Sequence, residues 1–92
     1  MTKISELKDA NNIIHYSFYC PGCKNHHSIT SSWTFNRDYN KPTISPSILV
    51  QSASPKGTKR ICHSFVKDGM IQFLGDCTHD LKNQTVEIPD ED

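Results

Sequence analysis

Apolar and polar residues alternate in short runs along this chain, and no segment sustains the 3.6-residue period of an amphipathic helix. The run "IIHYSFYC" (residues 13–20) is dense in β-branched and aromatic residues and reads as a strand. "SITSSWTF" (28–35) reads as a second strand, after the turn "PGCKNHH". "TISPSILV" (43–50) puts Ile44, Pro46, Ile48 and Val50 on one face, and its proline predicts an edge strand or a bulge. "RICHSFV" (60–66) and "MIQFLGDC" (70–77) flank "KDG", and Asp-Gly between two such runs is a strong hairpin signal. "TVEIP" (85–89) adds a last short strand, while residues 36–42 and 51–59 have loop composition. The pattern predicts a mainly β fold of five or six short strands. A single domain covers residues 13–89, between a polar arm or short helical turn at 1–12 and an acidic tail at 90–92.

Size changes this picture. A 92-residue chain with 35% hydrophobic residues has a thin core, and a staple would help it fold. Four cysteines are available. The N-terminus has no apolar leader segment, and no stretch approaches the ~20 apolar residues of a membrane span. The expectation is a cytoplasmic protein, where clustered cysteines are reduced and more often bind metal than form disulfides. Formal net charge is zero, but residues 1–86 carry ten basic against six acidic groups. That excess is too mild to point to nucleic acid.

The chemistry is concentrated in Cys and His. Cys20-Pro-Gly-Cys23 is a knuckle that lets two thiolates face one ion, with Gly22 suited to positive φ in the turn. If Asp68-Gly69 form a two-residue turn, Ser64 faces Phe73, Cys62 faces Gly75 and Arg60 faces Cys77. Cys62 and Cys77 then share one face as diagonal neighbours. The other face carries His63, Phe65, Gln72, Leu74 and Asp76, with Asp76 diagonal to His63. The first-choice ligand set is Cys20, Cys23, Cys62 and Cys77 around Zn2+, in a zinc-ribbon-like arrangement of knuckle and hairpins. Runner-up ligands are His63, His79, His27 and His26. The pair His63 and Asp76 also suits a metal-orienting contact or a general base. Thr43, Ser45 and Ser47 would line up hydroxyls on one face of their strand.

The ordered set "FYCPGC", "W-x-F", "KPTISPSIL", "CHSFVKDGMIQFLGDCTH" and "QTVEIP" resembles a small Cys/His-rich family of bacteriophages and bacteria. The resemblance covers roughly residues 13–89. Some members carry the label ammonia monooxygenase, which fits a membrane copper complex and not a chain without a span. The resemblance implies a phage or mobile-element setting and metal binding. Related bacterial members are associated with ubiquitin-like conjugation neighbourhoods, which implies protein partners; no particular activity follows from it.

Three functions fit these residues. The first is a structural zinc module, not an enzyme, that recognises a protein partner; four thiolates close the coordination sphere. The second is a zinc hydrolase with an open site, built from His63, Cys77 and His79 with Asp76 or Asp80 as base. It lacks an HExxH or deaminase motif. The third is a nucleic-acid binder that stacks bases on Tyr16, Phe18, Tyr19, Trp33, Phe35 and Tyr39, although those aromatics suit a small core better.

Overall fold

A computed structural model describes residues 2–90, and these residues form eight strands. They are β1 (Ile4–Lys8), β2 (Ile14–Cys20), β3 (Asn25–Ile29), β4 (Thr34–Phe35), β5 (Ile44–Ala53), β6 (Lys59–Lys67), β7 (Met70–Phe73) and β8 (Thr85–Glu87). β1-β2-β3 form one antiparallel sheet and β4-β5-β6-β7-β8 a second. Among the described residues no helix is long and apolar enough to cross a membrane.

Period-two patterning decides which face each strand buries. On the three-stranded sheet Tyr16, Phe18 and Cys20 point inward from β2, opposite Ile29 and His27 of β3. On the five-stranded sheet Ile44 and Ile48 of β5, Cys62, Ser64 and Val66 of β6, and Ile71 and Phe73 of β7 do the same. These side chains make one core between two sheets, with Trp33, Phe35 and Tyr39 packed against it. Tyr16, Phe35 and Tyr39 form an aromatic cluster with centroids 4.9–6.4 Å apart. The aromatics weighed as base-stacking groups are thus largely spent on the interior.

The predicted mainly β class stands, with more strands than expected. Residues 4–8 form β1 where a loose arm or helical turn was predicted. One fully buried side chain, Ile4 opposite Phe18, and the Lys3 ammonium anchor it. Lys3 Nζ reaches Glu87 (2.9 Å), the Ile88 carbonyl (2.8 Å) and Asp90 (3.2 Å), tying the first strand to the end of the last. Asp90 therefore joins the fold; Glu91 and Asp92 of the expected acidic tail lie outside the described residues. The predicted strand 28–35 is broken by a turn in which the Trp33 N–H bonds the Thr30 carbonyl (3.2 Å), leaving β3 and β4 on either side.

The 60–77 hairpin keeps the predicted register as far as Phe73: Lys67 pairs with Met70, Val66 with Ile71 and Ser64 with Phe73. Asp68 (φ 52°) and Gly69 (φ 79°) both sit at positive φ, as a two-residue hairpin turn of this twist requires. Beyond Phe73 the strand ends. The Cys77 N–H bonds back to the Leu74 carbonyl (3.3 Å), so the expected Cys62–Gly75 and Arg60–Cys77 pairs do not form. On β5, Ile44 pairs with Val66 and Ile48 with Ser64, so four residues advance against two. This bulge contains the cis Ser45–Pro46 peptide and turns Pro46 out to solvent, off the face that Ile44 and Ile48 share.

Candidate functional site

The Cys20–Cys23 knuckle is the turn between β2 and β3. Lys24, at φ 56°, takes the left-handed position expected of Gly22, and its N–H closes the turn on the Cys20 carbonyl (2.8 Å). Gly22 serves a different need. Any Cβ there would overlap the His79 imidazole, which lies on the knuckle with its other side against Phe73, 4.5 Å between centroids.

Cys20 points into the core, where its sulfur lies 3.8 Å from that of Cys62 on the opposite sheet. This is hydrogen-bond separation, far beyond a disulfide, and all four cysteines are free thiols. Register then selects between the adjacent histidines. His27 faces Phe18 and points inward, whereas His26 pairs with Tyr19 on the outer face. One ligand atom each from Cys20, Cys23, His27 and Cys62 falls within 4.8 Å of the others. The group could hold a metal ion across the two sheets. The Cys23 N–H donates to the Cys20 sulfur (3.4 Å), and His27 Nε2 is buried with no hydrogen-bond partner. The proton shared with Cys62 and the His27 ring lower the Cys20 thiol to about 4, while burial and the Cys20 charge lift Cys23 to about 11. The same shared proton raises Cys62. The hydrogen bond from Cys62 thus favours the thiolate form of Cys20, the form in which a sulfur binds a cation.

Cys77 and His79 lie on the far side of Cys62 and form a second, three-membered group with it. Cys77 is engaged with the backbone of His63: its sulfur accepts the His63 N–H (3.3 Å) and donates to the His63 carbonyl (3.2 Å). His79 Nδ1 accepts the Leu81 N–H (3.2 Å), and its Nε2 is buried without a partner. A cleft of about 530 Å³ opens beside these groups, between β3 and the outer halves of β5 and β6, with Cys23, His27, Lys59 and Arg60 on its walls. Gly22→Ala is expected to force the knuckle and His79 apart, moving Cys20 and Cys23 and weakening metal binding; competition with a chromogenic chelator measures it.

On the reverse face of the same sheet lies a different constellation. His63 follows the inward Cys62 and so points outward, away from the cysteines. Its Nε2 is 3.0 Å from Ser47 Oγ, and its Nδ1 is 3.1 Å from Asp76 Oδ2. The β5 bulge aims Ser47 at the imidazole, and the turn after β7 brings Asp76 back to it. The expected contact of His63 with Asp76 forms, but with a hydroxyl as the third member and not a metal. Sequence reasoning placed Ser47 among strand hydroxyls beside Thr43 and Ser45. In the structure Thr43 instead accepts the Asp68 N–H (2.9 Å) and Ser45 is exposed. Leu49 and Phe65 flank the constellation as exposed apolar side chains.

A family profile described as bacterial ubiquitination-like system serine protease (BubE) matches residues 2–74, and the chain belongs to that family. Neither a curated protein nor a solved structure matches it.

Proposed function

We propose that this chain is a serine peptidase of a bacterial ubiquitin-like conjugation system, with Ser47 as nucleophile, His63 as general base and Asp76 as the group that orients the imidazole. The observation that carries it is the continuous relay Ser47 Oγ–His63 Nε2 and His63 Nδ1–Asp76 Oδ2, at 3.0 and 3.1 Å. The family description supports the reaction class.

The chemistry follows from the bonding. Asp76 accepts a hydrogen bond from the Nδ1–H, which leaves Nε2 with its lone pair toward Ser47. As Ser47 Oγ attacks a peptide carbonyl, Nε2 takes the hydroxyl proton. The imidazolium then gives that proton to the leaving amine, so the C–N bond breaks and an acyl-serine remains. Water deprotonated by the same nitrogen hydrolyses the ester and restores the hydroxyl. The Asp76 side chain is half exposed, so its field on the imidazolium is damped by solvent.

The metal in this reading is structural zinc, held by Cys20, Cys23, His27 and Cys62. Three cysteines and a histidine make a closed tetrahedral set for zinc. When bound it supplies a cross-link between the sheets. Of the expected ligands, Cys20, Cys23 and Cys62 stay in the set and His27 takes the place given to Cys77. The zinc-hydrolase alternative loses support because His63, one of its ligands, is committed to Ser47 and Asp76. The protein partner of the first reading becomes the substrate, and the cytoplasm its setting.

A fluorophosphonate probe tests the assignment. It is expected to label the folded protein stoichiometrically, with the adduct located at Ser47 by peptide mass mapping. A folded, metal-loaded protein that stays unlabelled at Ser47 would refute it.

A further inference from the structure

Ser47 stands at the start of a sheet edge that is open. β4 covers β5 only at Ile44 and Ser45, and on the other side β6 pairs with β5 from Ile48 to Ala53. The directions of the peptide groups beyond Ser47 follow from β6. The His63 carbonyl takes the Leu74 N–H (2.9 Å) and the His63 N–H turns to Cys77. The Ile61 carbonyl takes the Thr78 N–H (2.9 Å) and the Ile61 N–H turns to the Thr78 hydroxyl (3.0 Å). Both residues therefore direct their peptide groups away from β5. Facing residues in an antiparallel pair exchange both hydrogen bonds or neither. Leu49, opposite His63, and Gln51, opposite Ile61, must then point their N–H and C=O groups out from the free edge. The Ser47 carbonyl, two residues earlier, receives the Trp33 indole N–H (3.3 Å). Among the described residues nothing bonds the outward groups of Leu49 and Gln51.

Resting on the peptidase reading, we propose that the residues preceding the scissile bond of an extended peptide substrate add to this edge as an antiparallel strand, hydrogen-bonded to Leu49 and Gln51. A row of donors and acceptors at two-residue spacing matches one chemistry, the backbone of an extended polypeptide. Antiparallel addition runs the substrate from Ala53 toward Ser47, so the chain before the cut lies on the edge and its last carbonyl arrives at the nucleophile. Directly opposed residues share a face. The substrate side chain opposite Leu49 thus projects onto the outer face, where Leu49 and Phe65 are exposed, and an apolar one fits there.

Two phosphonate diesters provide the test: acetyl-leucine diphenyl phosphonate, and acetyl-Leu-Leu-Leu-Leu with its last leucine as the same diphenyl phosphonate, whose third residue from the warhead faces Leu49 and whose acetyl carbonyl faces the Gln51 N–H. The short probe offers the edge almost no backbone, whereas the long one reaches Leu49 and Gln51. The long probe is expected to modify Ser47 roughly tenfold faster or more, the effect of two added backbone hydrogen bonds. Gln51→Pro removes one outward N–H without touching the β5–β6 ladder, a position where an edge strand tolerates proline. It is expected to lower the long-to-short ratio several-fold, the bonds at Leu49 remaining. N-methylation of the peptide nitrogens of the long probe should do the same on the unaltered protein, so the result does not depend on the variant folding. Equal rates for the two probes, or a ratio indifferent to N-methylation, would overturn the edge proposal while leaving the nucleophile in place. Failure of both probes to react at Ser47 would instead remove the peptidase reading, and the edge proposal with it.

Discussion

Ser47→Ala is expected to lower peptide hydrolysis by ~10⁴–10⁶-fold while the protein keeps its fold and its metal content. Ser47 is half-buried and among the described residues its hydroxyl bonds only His63, whose ring is itself partly exposed, so the deleted oxygen leaves no orphaned core group. His63→Ala should match it, and the double variant should be no worse than either alone, because the two groups act as one unit. Asp76→Asn separates the roles. An amide can donate to Nδ1 and stabilise the wrong tautomer, which in a buried relay costs ~10⁴-fold. The exposure of Asp76 lets water take part of its place, so a smaller loss of about 10²–10³-fold is expected here. Steady-state kcat/KM on one peptide substrate, with circular dichroism and metal analysis of each variant, checks all four. A Ser47→Ala protein that is folded and fully active would end the serine-peptidase assignment.

Removal of the metal should have the other large effect. The apolar core is small, and Cys20, Cys23, His27 and Cys62 are positioned to hold an ion between its two sheets. For structural zinc the free energy of binding is folding free energy, on the order of 10 kcal/mol at neutral pH. One equivalent of zinc per chain is expected on isolation. Excess strong chelator or Cys20→Ser should abolish the cooperative thermal transition, and with it phosphonate labelling of Ser47. Labelling is lost because β6 carries both Cys62 and His63. Cys77→Ser should retain the zinc, since Cys77 lies outside the four-membered group and bonds the His63 backbone. A chelated protein with an unchanged melting curve would show that the sheets hold without the ion.

Much of this was legible in the sequence where local rules suffice. Asp68-Gly69 fixed a two-residue turn, and counting back from it set the register through Ser64 and Phe73. Alternation along β6 then separated an inward Cys62 from an outward His63 and put Asp76 near the imidazole. Where the outcome depended on pairing between distant segments, the reading stopped. His27 and His26 differ only in which faces Phe18, and that is set by β3 against β2. Ser47 has no motif around it; a two-residue excess in β5 against β6 aims it, and such an excess is invisible until the two strands are aligned. Pro46 is the available signal; it indicates an edge strand or a bulge, but nothing in the sequence connects it with the hydroxyl beside it. β1 escaped notice because a single buried isoleucine and a set of backbone bonds hold it, which is too weak a pattern to stand out from a polar arm.

Cys62 and His63 are neighbours in sequence and lie on opposite faces of one strand, so gaining or losing one residue between His63 and the Asp68-Gly69 turn, which sets the register, would exchange the two. The imidazole would enter the interior and the thiol would meet solvent, undoing both the Cys/His group between the sheets and the Ser47–His63–Asp76 hydrogen bonds in one event. Insertions and deletions in this stretch should therefore be eliminated in a lineage, whereas the hairpin tip at 54–58, which carries neither group, can vary in length freely.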